Sequence, residues 1–130
     1  MMKTILFVED DANVVEIYRG GLLREGFEVL VVNDGLAAMQ FLHANKPDLV
    51  ILDLIIPNFN GAEVLKFIRD HPALWNTKVL VFSNDCMTEV AFEAETLGAD
   101  ASLLKFTCTI EQLINVVKTL LCDGHVAMNM

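Results

Sequence analysis

The chain has 130 residues, which is enough for one domain with a sizeable core and too few for two ordinary domains. Hydrophobic residues make up 54% of it, a high fraction that a parallel sheet buried on both faces would explain. The formal charge of −9 would repel a nucleic-acid backbone, so the composition argues against direct DNA binding by this domain.

Short apolar runs alternate with helical patterns along the chain. In chain order we predict a strand at 3–8, a helix at 12–25, a strand at 27–32, a helix at 36–44, a strand at 49–52, a helix at 62–70, a strand at 79–82, a helix at 88–97, a strand at 101–104 and a helix at 110–121. Gly26 and Gly98 are typical helix ends, and Asn33-Asp34-Gly35 is a turn signal.

The alternation predicts an α/β fold, because parallel neighbouring strands need crossover connections. We expect a doubly wound, flavodoxin-like sheet of five strands in the order 2-1-3-4-5, with five helices. One domain would occupy residues 1–122, followed by a C-terminal tail at 123–130. In the first helix, Ile17 lies beside the apolar stripe and is expected to pack in the core, with a partner contact as the alternative. The pair Gly20-Gly21 weakens this helix for no reason evident in the sequence.

The apolar segments are too short for a membrane span. The longest, 49–56, is interrupted by Asp53 and stopped by Pro57, whereas a span needs roughly 20 residues. The first apolar run ends at once in an acidic triplet, unlike a signal peptide. We therefore expect a cytoplasmic protein with no membrane association and with reduced thiols. The thiols belong to Cys86, Cys108 and Cys122.

Polar residues stand where four of the predicted strands end. They are Glu9-Asp10-Asp11 after the first strand, Asp53 after the third, Ser83 after the fourth and Lys105 after the fifth. Singly, each has an ordinary role: a helix cap for Asp11, a turn or cap for Ser83, a solvated charge for Lys105. Jointly they favour a site, because the carboxyl ends of parallel strands form the ligand crevice of such sheets.

The charges of this group predict its chemistry. Glu9, Asp10 and Asp53 would repel one another unless a cation with a preference for oxygen lay between them. Mg²⁺ fits best, since it commonly binds one or two carboxylates together with waters and phosphate oxygens. Lys105 is suited to a phosphate oxygen. The residues therefore indicate a metal-assisted phosphoryl site.

Other phosphate-binding motifs are missing. The sequence has neither GxGxxG after a strand nor GxxxxGK[ST], and no loop after the first strand is rich enough in Gly, Ser and Thr to hold FMN. The run Asp53-Leu54-Ile55-Ile56 lacks the second aspartate of haloacid-dehalogenase-type phosphatases. An enzyme of the hydrolase or flavodoxin type is therefore disfavoured.

The pattern from about residue 3 to 121 resembles the receiver domain of bacterial response regulators. The matching stretches are Ile5 to Asp11, Pro47 to Leu54 with Pro57 and Gly61, Val79 to Ser83, and Gly98-Ala99-Asp100 followed by Lys105. The resemblance implies a signalling switch and not a conventional enzyme. It assigns Asp53 as phosphoacceptor, Asp10 as direct Mg²⁺ ligand, Glu9 as a ligand largely through water, the Ile55 carbonyl as a further ligand, Ser83 as the hydroxyl that turns toward the phosphoryl group, and Lys105 as its cation.

The resemblance also implies partners. A histidine kinase or histidine phosphotransfer protein would donate the phosphoryl group, docking near the first helix and the loop after Lys105. Slow hydrolysis of the acyl phosphate would follow. The face formed by the fourth helix, fifth strand and fifth helix would serve output, through homodimerisation or another protein.

Three positions depart from the family pattern. Phe106 replaces the usual proline after the lysine, so the loop is either trans or strained. Ser102 replaces the usual aromatic switch residue, and Asn84 replaces a small residue, where it could crowd the phosphoryl entrance. These departures keep open a pseudo-receiver, a phosphorylation-independent interaction module of the same fold. Ile55 lies two residues after the acceptor, where its side chain would border the path of the attacking water, and it therefore predicts a long-lived phosphoryl group.

Overall fold

The computed structural model describes residues 2–84 and 89–122, and for residues 89–91 the backbone alone. The strands are β1 (Thr4–Val8), β2 (Glu28–Val32), β3 (Leu49–Leu52), β4 (Lys78–Ser83) and β5 (Ala101–Leu104). The helices are α1 (Ala12–Arg24), α2 (Gly35–Ala44), α3 (Gly61–Asp70), α4 (Glu89–Thr96) and α5 (Ile110–Leu121), with a 3-10 turn at Lys105–Thr107. Among these helices, none is long and apolar enough to cross a bilayer.

The strands form one parallel sheet in the order β2-β1-β3-β4-β5, which confirms the predicted fold. The winding direction reverses between β1 and β3. Val8 pairs with both Val32 and Leu52, and Ser83 pairs with Leu104. Because these registers align the strand ends, the residues that follow β1, β3, β4 and β5 meet at one edge of the sheet.

Two apolar cores lie on opposite faces of this sheet. Ile5 and Phe7 pack with α1 and α5, whereas Leu6 and Val8 pack with α2, α3 and Ala94 of α4. All four residues of β3 are buried. The central strands are therefore apolar at nearly every position, which explains the high hydrophobic content of the chain.

The predicted ends of the elements differ from the observed ends by at most one residue. Ser83, predicted to follow the fourth strand, is the last residue of β4 because its backbone pairs with Leu104. Gly35 and Gly61 begin their helices because Asp34 and Asn60 supply the N-caps. The tail at 123–130, the predicted helix start at Thr88 and the thiol of Cys86 lie outside the described residues. Cys108 and Cys122 are free thiols.

The expectation that Ile17 packs in the core is wrong. Tyr18 and Leu22 are buried in α1, whereas Ile17 is 52% exposed. A residue one position before Tyr18 is rotated by about 100° around the helix axis, which turns it away from the sheet. Ile17 is therefore available to a partner.

The two adjacent glycines of α1 have different surroundings. A Cβ on Gly21 would lie 2.7 Å from Cγ2 of Ile110 and 3.6 Å from Cδ1 of Ile114. A Cβ on Gly20 would find its nearest neighbour at 3.5 Å, in the guanidinium of Arg24. Glycine at position 21 therefore allows α1 to approach α5 closely, and glycine at position 20 has no such role.

Gly21→Ala is expected to lower the free energy of unfolding by about 1–3 kcal/mol, because the added methyl group overpacks the contact between α1 and α5. Gly20→Ala is the matched control in the same helix. It is expected to raise the free energy of unfolding by roughly 0.5–1 kcal/mol, since alanine favours helix over glycine. Urea unfolding of both variants measures these effects, and equal shifts would contradict the packing role of Gly21.

Candidate functional site

Three acidic residues follow β1, and the first two differ in exposure. The Glu9 N–H donates to the Val32 carbonyl at 3.0 Å, so the strand pairing extends into the acidic triplet. Glu9 is 1% exposed, and Asp10 beside it is exposed. The carboxylate of Asp11 accepts the N–H of Asn13 at 2.9 Å, which confirms its role as helix cap. The triplet therefore contributes one buried and one exposed carboxylate to the sheet edge.

Asp53 follows β3 and is held by its backbone. Its N–H donates to the Val8 carbonyl at 3.2 Å, and its Oδ1 accepts the N–H of Ile55 at 3.3 Å. A Cβ on Gly61 would lie 2.5 Å from the Asp53 carbonyl oxygen, so only glycine lets α3 begin against this residue. Asp53 is 5% exposed. Its carboxylate is thus fixed at the edge and largely withdrawn from solvent.

Lys105 begins the turn after β5 and reaches across the sheet edge. Its Nζ lies 2.8 Å from Oε1 of Glu9 and 2.7 Å from Oδ2 of Asp53. Only 13% of its side chain is exposed. The ordinary expectation of a solvated lysine therefore fails, and the three residues form one buried ionic cluster.

Burial and hydrogen bonds shift the pKa values of Glu9 and Lys105 in this cluster. Burial raises the pKa of the Glu9 carboxyl, and hydrogen bonds from Lys105 and the Asp11 backbone offset only part of that effect. Burial alone would lower the pKa of Lys105, but hydrogen bonds to Asp53 and Glu9 outweigh it and raise the pKa above its ordinary value. Lys105 is therefore a fixed cation at neutral pH.

A cavity of about 300 Å³ opens beside this cluster. Its lining residues are Asp53, Ile55, Ser83, Asn84 and Lys105. Ser83 is 3% exposed, whereas Ile55 is 58% exposed at the cavity mouth. The Asp53 carboxylate, a hydroxyl and a cation therefore share one small space that a phosphoryl group could enter.

Three acidic residues at the sheet edge could together hold a divalent cation. Carboxylate oxygens of Glu9, Asp10 and Asp53 lie within 4.8 Å of one another. Oxygen ligands at such spacing suit a hard cation such as Mg²⁺. The prediction from the sequence that these three residues lie close together is therefore confirmed.

Asn84 and Phe106 contact each other, which the sequence did not indicate. The Phe106 N–H donates to Oδ1 of Asn84 at 2.8 Å. Within residues 2–84 and 89–122 no peptide bond is cis, so the bond that joins Lys105 to Phe106 is trans. One oxygen of the Asn84 side chain is therefore engaged with the loop after β5.

The loop between β3 and α3 is attached to the start of α2. Nδ2 of Asn58 donates to Oδ2 of Asp34 at 3.0 Å, and the Gly35 N–H donates to the Pro57 carbonyl at 2.9 Å. The Ala37 N–H, followed by the Asn58 amide, lowers the pKa of the Asp34 carboxyl. This attachment supports the loop that follows Asp53, and no motif in the sequence indicated it.

The family profile described as response regulator receiver domain matches residues 5–118. The chain belongs to this family. The match includes all of the residues that form the ionic cluster and the cavity. The protein is thus a receiver domain of two-component signal transduction, and the resemblance found in the sequence is confirmed.

The receiver domain is similar to the alkaline phosphatase synthesis transcriptional regulatory protein PhoP of Bacillus subtilis, with 31% identity over 105 residues. That match covers 81% of this chain and 43% of PhoP, so the chain spans less than half of that relative.

Solved response regulators share the fold. The structure of the phosphorylated cyanobacterial phytochrome response regulator RcpA matches with a TM-score of 0.79 and 30% identity, over 92% of this chain and 91% of that one. The Mn²⁺-bound response regulator Rcp1 matches with a TM-score of 0.78 and 26% identity, over 90% and 92%.

Proposed function

We propose that this receiver domain is a phosphorylation-dependent switch that accepts a phosphoryl group on Asp53. The position of the Asp53 carboxylate carries the proposal. It is largely buried, it lies 2.7 Å from the Lys105 cation, and it lines the cavity that Ser83 also lines. A carboxylate held in this way combines a nucleophilic oxygen, a nearby positive charge and access from outside.

The reaction is a phosphoryl transfer from a phosphohistidine. A carboxylate oxygen of Asp53 attacks phosphorus, and the new O–P bond forms as the P–N bond breaks. The histidine ring departs with the bonding electron pair, which a proton from solvent then neutralises. Lys105 stabilises the phosphoryl oxygens, and we propose that the Ser83 hydroxyl turns toward them. The product is an acyl phosphate on Asp53.

The acidic residues fit Mg²⁺ as the cofactor. Asp10 and Asp53 would hold the ion directly, with the backbone carbonyl of Ile55. Both carboxylate oxygens of Glu9 already accept hydrogen bonds, from Lys105 and from Asp11, which favours a contact through water. Three carboxylates and one lysine leave two negative charges at the edge. Bound Mg²⁺ would neutralise these two charges, so that the edge could accept the negative charge of an incoming phosphoryl group.

The donor would be a histidine kinase or histidine phosphotransfer protein in the cytoplasm. Exposed apolar side chains lie where such a partner would dock: Ile17 on α1 is 52% exposed, and Phe106 after Lys105 is 77% exposed. For output we propose the face of α4, β5 and α5, as a homodimer contact or toward another protein. Ser102 on β5 is exposed and carries no ring, so the response to phosphorylation reaches this face by another route.

Ile55→Asn is expected to accelerate autodephosphorylation about tenfold, because an apolar side chain at the cavity mouth hinders the attacking water and an amide could orient it. The measurement is the loss of acyl phosphate over time after the donor is removed. Ile17→Asn, the same change at an exposed site outside the cavity, should leave the rate unaltered. A rate that Ile55→Asn fails to raise would count against a shielding role of Ile55.

Beryllofluoride with Mg²⁺ tests the proposed function against a pseudo-receiver, because it mimics an aspartyl phosphate without a phosphoryl donor. We expect backbone amide NMR shifts around Asp53, Ser83 and Lys105 in the wild-type protein, and none in Asp53→Ala. Asp70→Ala, at an exposed ion pair on α3, is the matched control and should respond like wild type. A wild-type chain that does not respond is a pseudo-receiver.

A further inference from the structure

One hydrogen bond joins the two loops that carry Ser83 and Lys105. Asn84 directly follows Ser83, the last residue of β4, and Phe106 directly follows Lys105. The Phe106 N–H donates to Oδ1 of Asn84 at 2.8 Å, although the residues are 22 positions apart. The contact therefore connects the neighbours of two site residues and no other part of the fold.

Apart from the ion pairs of Lys105, few contacts hold the turn at Lys105–Thr107 in place. The Phe106 ring is 77% exposed and Thr107 is exposed, so neither side chain is anchored in a core. In the part of the chain that the structure describes, two side-chain hydrogen bonds reach the backbone of residues 105–108 from other elements. One is the Asn84 contact, and the other runs from the Tyr18 hydroxyl to the Cys108 carbonyl at 2.8 Å.

Phe106 supplies the donor of this hydrogen bond and Asn84 supplies the acceptor. A proline at position 106 would have no N–H to donate, and a small residue at position 84 would have no side-chain acceptor. Asn84 and Phe106 provide both halves, and the engaged Oδ1 fixes the Asn84 amide at the edge of the cavity. The bond therefore depends on the residues at both positions.

We propose that Asn84 is a positioning residue that acts through Phe106. Its side-chain carbonyl holds the backbone beside Lys105, and so fixes the Lys105 ammonium relative to Asp53 and Ser83. The inference rests on the proposed phosphorylation of Asp53. Loss of the bond lets the turn shift, and Lys105 then spends less time in place for the incoming phosphoryl group.

A double-mutant cycle separates this role from simple crowding of the cavity. Asn84→Ala is expected to slow phosphorylation by acetyl phosphate and Mg²⁺ about threefold to tenfold, the factor that a net hydrogen bond supplies. In a chain that also carries Phe106→Pro, which removes the N–H, Asn84→Ala should have no further effect. Equal slowing in both backgrounds, or no slowing in the first, overturns the proposal.

Amide hydrogen exchange of Phe106 tests the bond without any phosphorylation, including the case in which Phe106→Pro does not fold. Exchange should be faster in Asn84→Ala and remain slow in Asn84→Asp, which keeps an acceptor oxygen. Tyr18→Phe, which removes the other bond to this turn, should leave Phe106 protected. Exchange unchanged in Asn84→Ala overturns the proposal. If the bond between Asn84 and Phe106 is present and wild type resists phosphorylation, the proposed function fails instead.

Discussion

Lys105→Met is expected to slow phosphorylation of Asp53 by roughly 100- to 1,000-fold, because it removes the positive charge that faces the transferred group. The lysine is positioned before any donor arrives, at 2.7 Å from Asp53. The measurement is the initial rate of acyl phosphate formation with acetyl phosphate and Mg²⁺. Lys78→Met, at an exposed position at the opposite end of β4, is the matched control and should retain the wild-type rate. A loss of less than threefold would contradict the role of Lys105.

The same variant has a pH-dependent effect on stability. Without Mg²⁺, Lys105→Met leaves the buried carboxylates of Glu9 and Asp53 unpaired, at a cost of about 3 kcal/mol near neutral pH. Burial already raises the pKa of Glu9 above its ordinary value of 4.5, and loss of the lysine raises it further. A carboxyl whose pKa is higher in the folded state stabilises the fold at low pH and loses that contribution as the pH rises. The deficit should therefore shrink toward pH 4.5.

Phe82→Ala is expected to lower the free energy of unfolding by about 3–5 kcal/mol, because it removes a large, fully buried ring and leaves a cavity. Phe82 is 0% exposed, and its ring centroid lies 5.0 Å from that of Tyr18, edge to face, and 6.5 Å from that of Phe7. A loss of this size is a large part of the roughly 5–15 kcal/mol that stabilises a typical domain.

Phe92→Ala is the matched control for Phe82→Ala. Phe92 lies on α4 and is 66% exposed, so its removal should change the free energy of unfolding by no more than about 0.5 kcal/mol. Urea denaturation measures both variants. Similar losses at the two positions would mean that the core beneath α1 and α5 is not packed as described.

Local signals in the sequence predicted the elements closely. Gly26 and Gly98 end α1 and α4 with φ angles of +92° and +88°, a backbone conformation that glycine adopts without strain. What the sequence could not show was the rotation that exposes Ile17, or the approach of α5 that requires Gly21. Both depend on which helices pack together, and that is decided by contacts between distant parts of the chain.

The site was predictable where it depends on topology. Parallel strands bring their carboxyl ends to one edge, so Glu9, Asp53 and Lys105 could be placed together from the sequence. The bond from Phe106 to Asn84 and that from Asn58 to Asp34 could not, since each joins loops more than 20 residues apart. Such contacts have no periodicity, and only the folded backbone shows which polar group faces which.

Locating the phosphoryl group tests the central claim most directly. After incubation with acetyl phosphate and Mg²⁺, borohydride reduction converts an aspartyl phosphate to homoserine, which peptide mass spectrometry can assign to one residue. We predict homoserine at position 53 in wild type, and none in Asp53→Asn or in the presence of a chelator. Homoserine at another aspartate, with Asp53 unmodified, would contradict phosphorylation of Asp53.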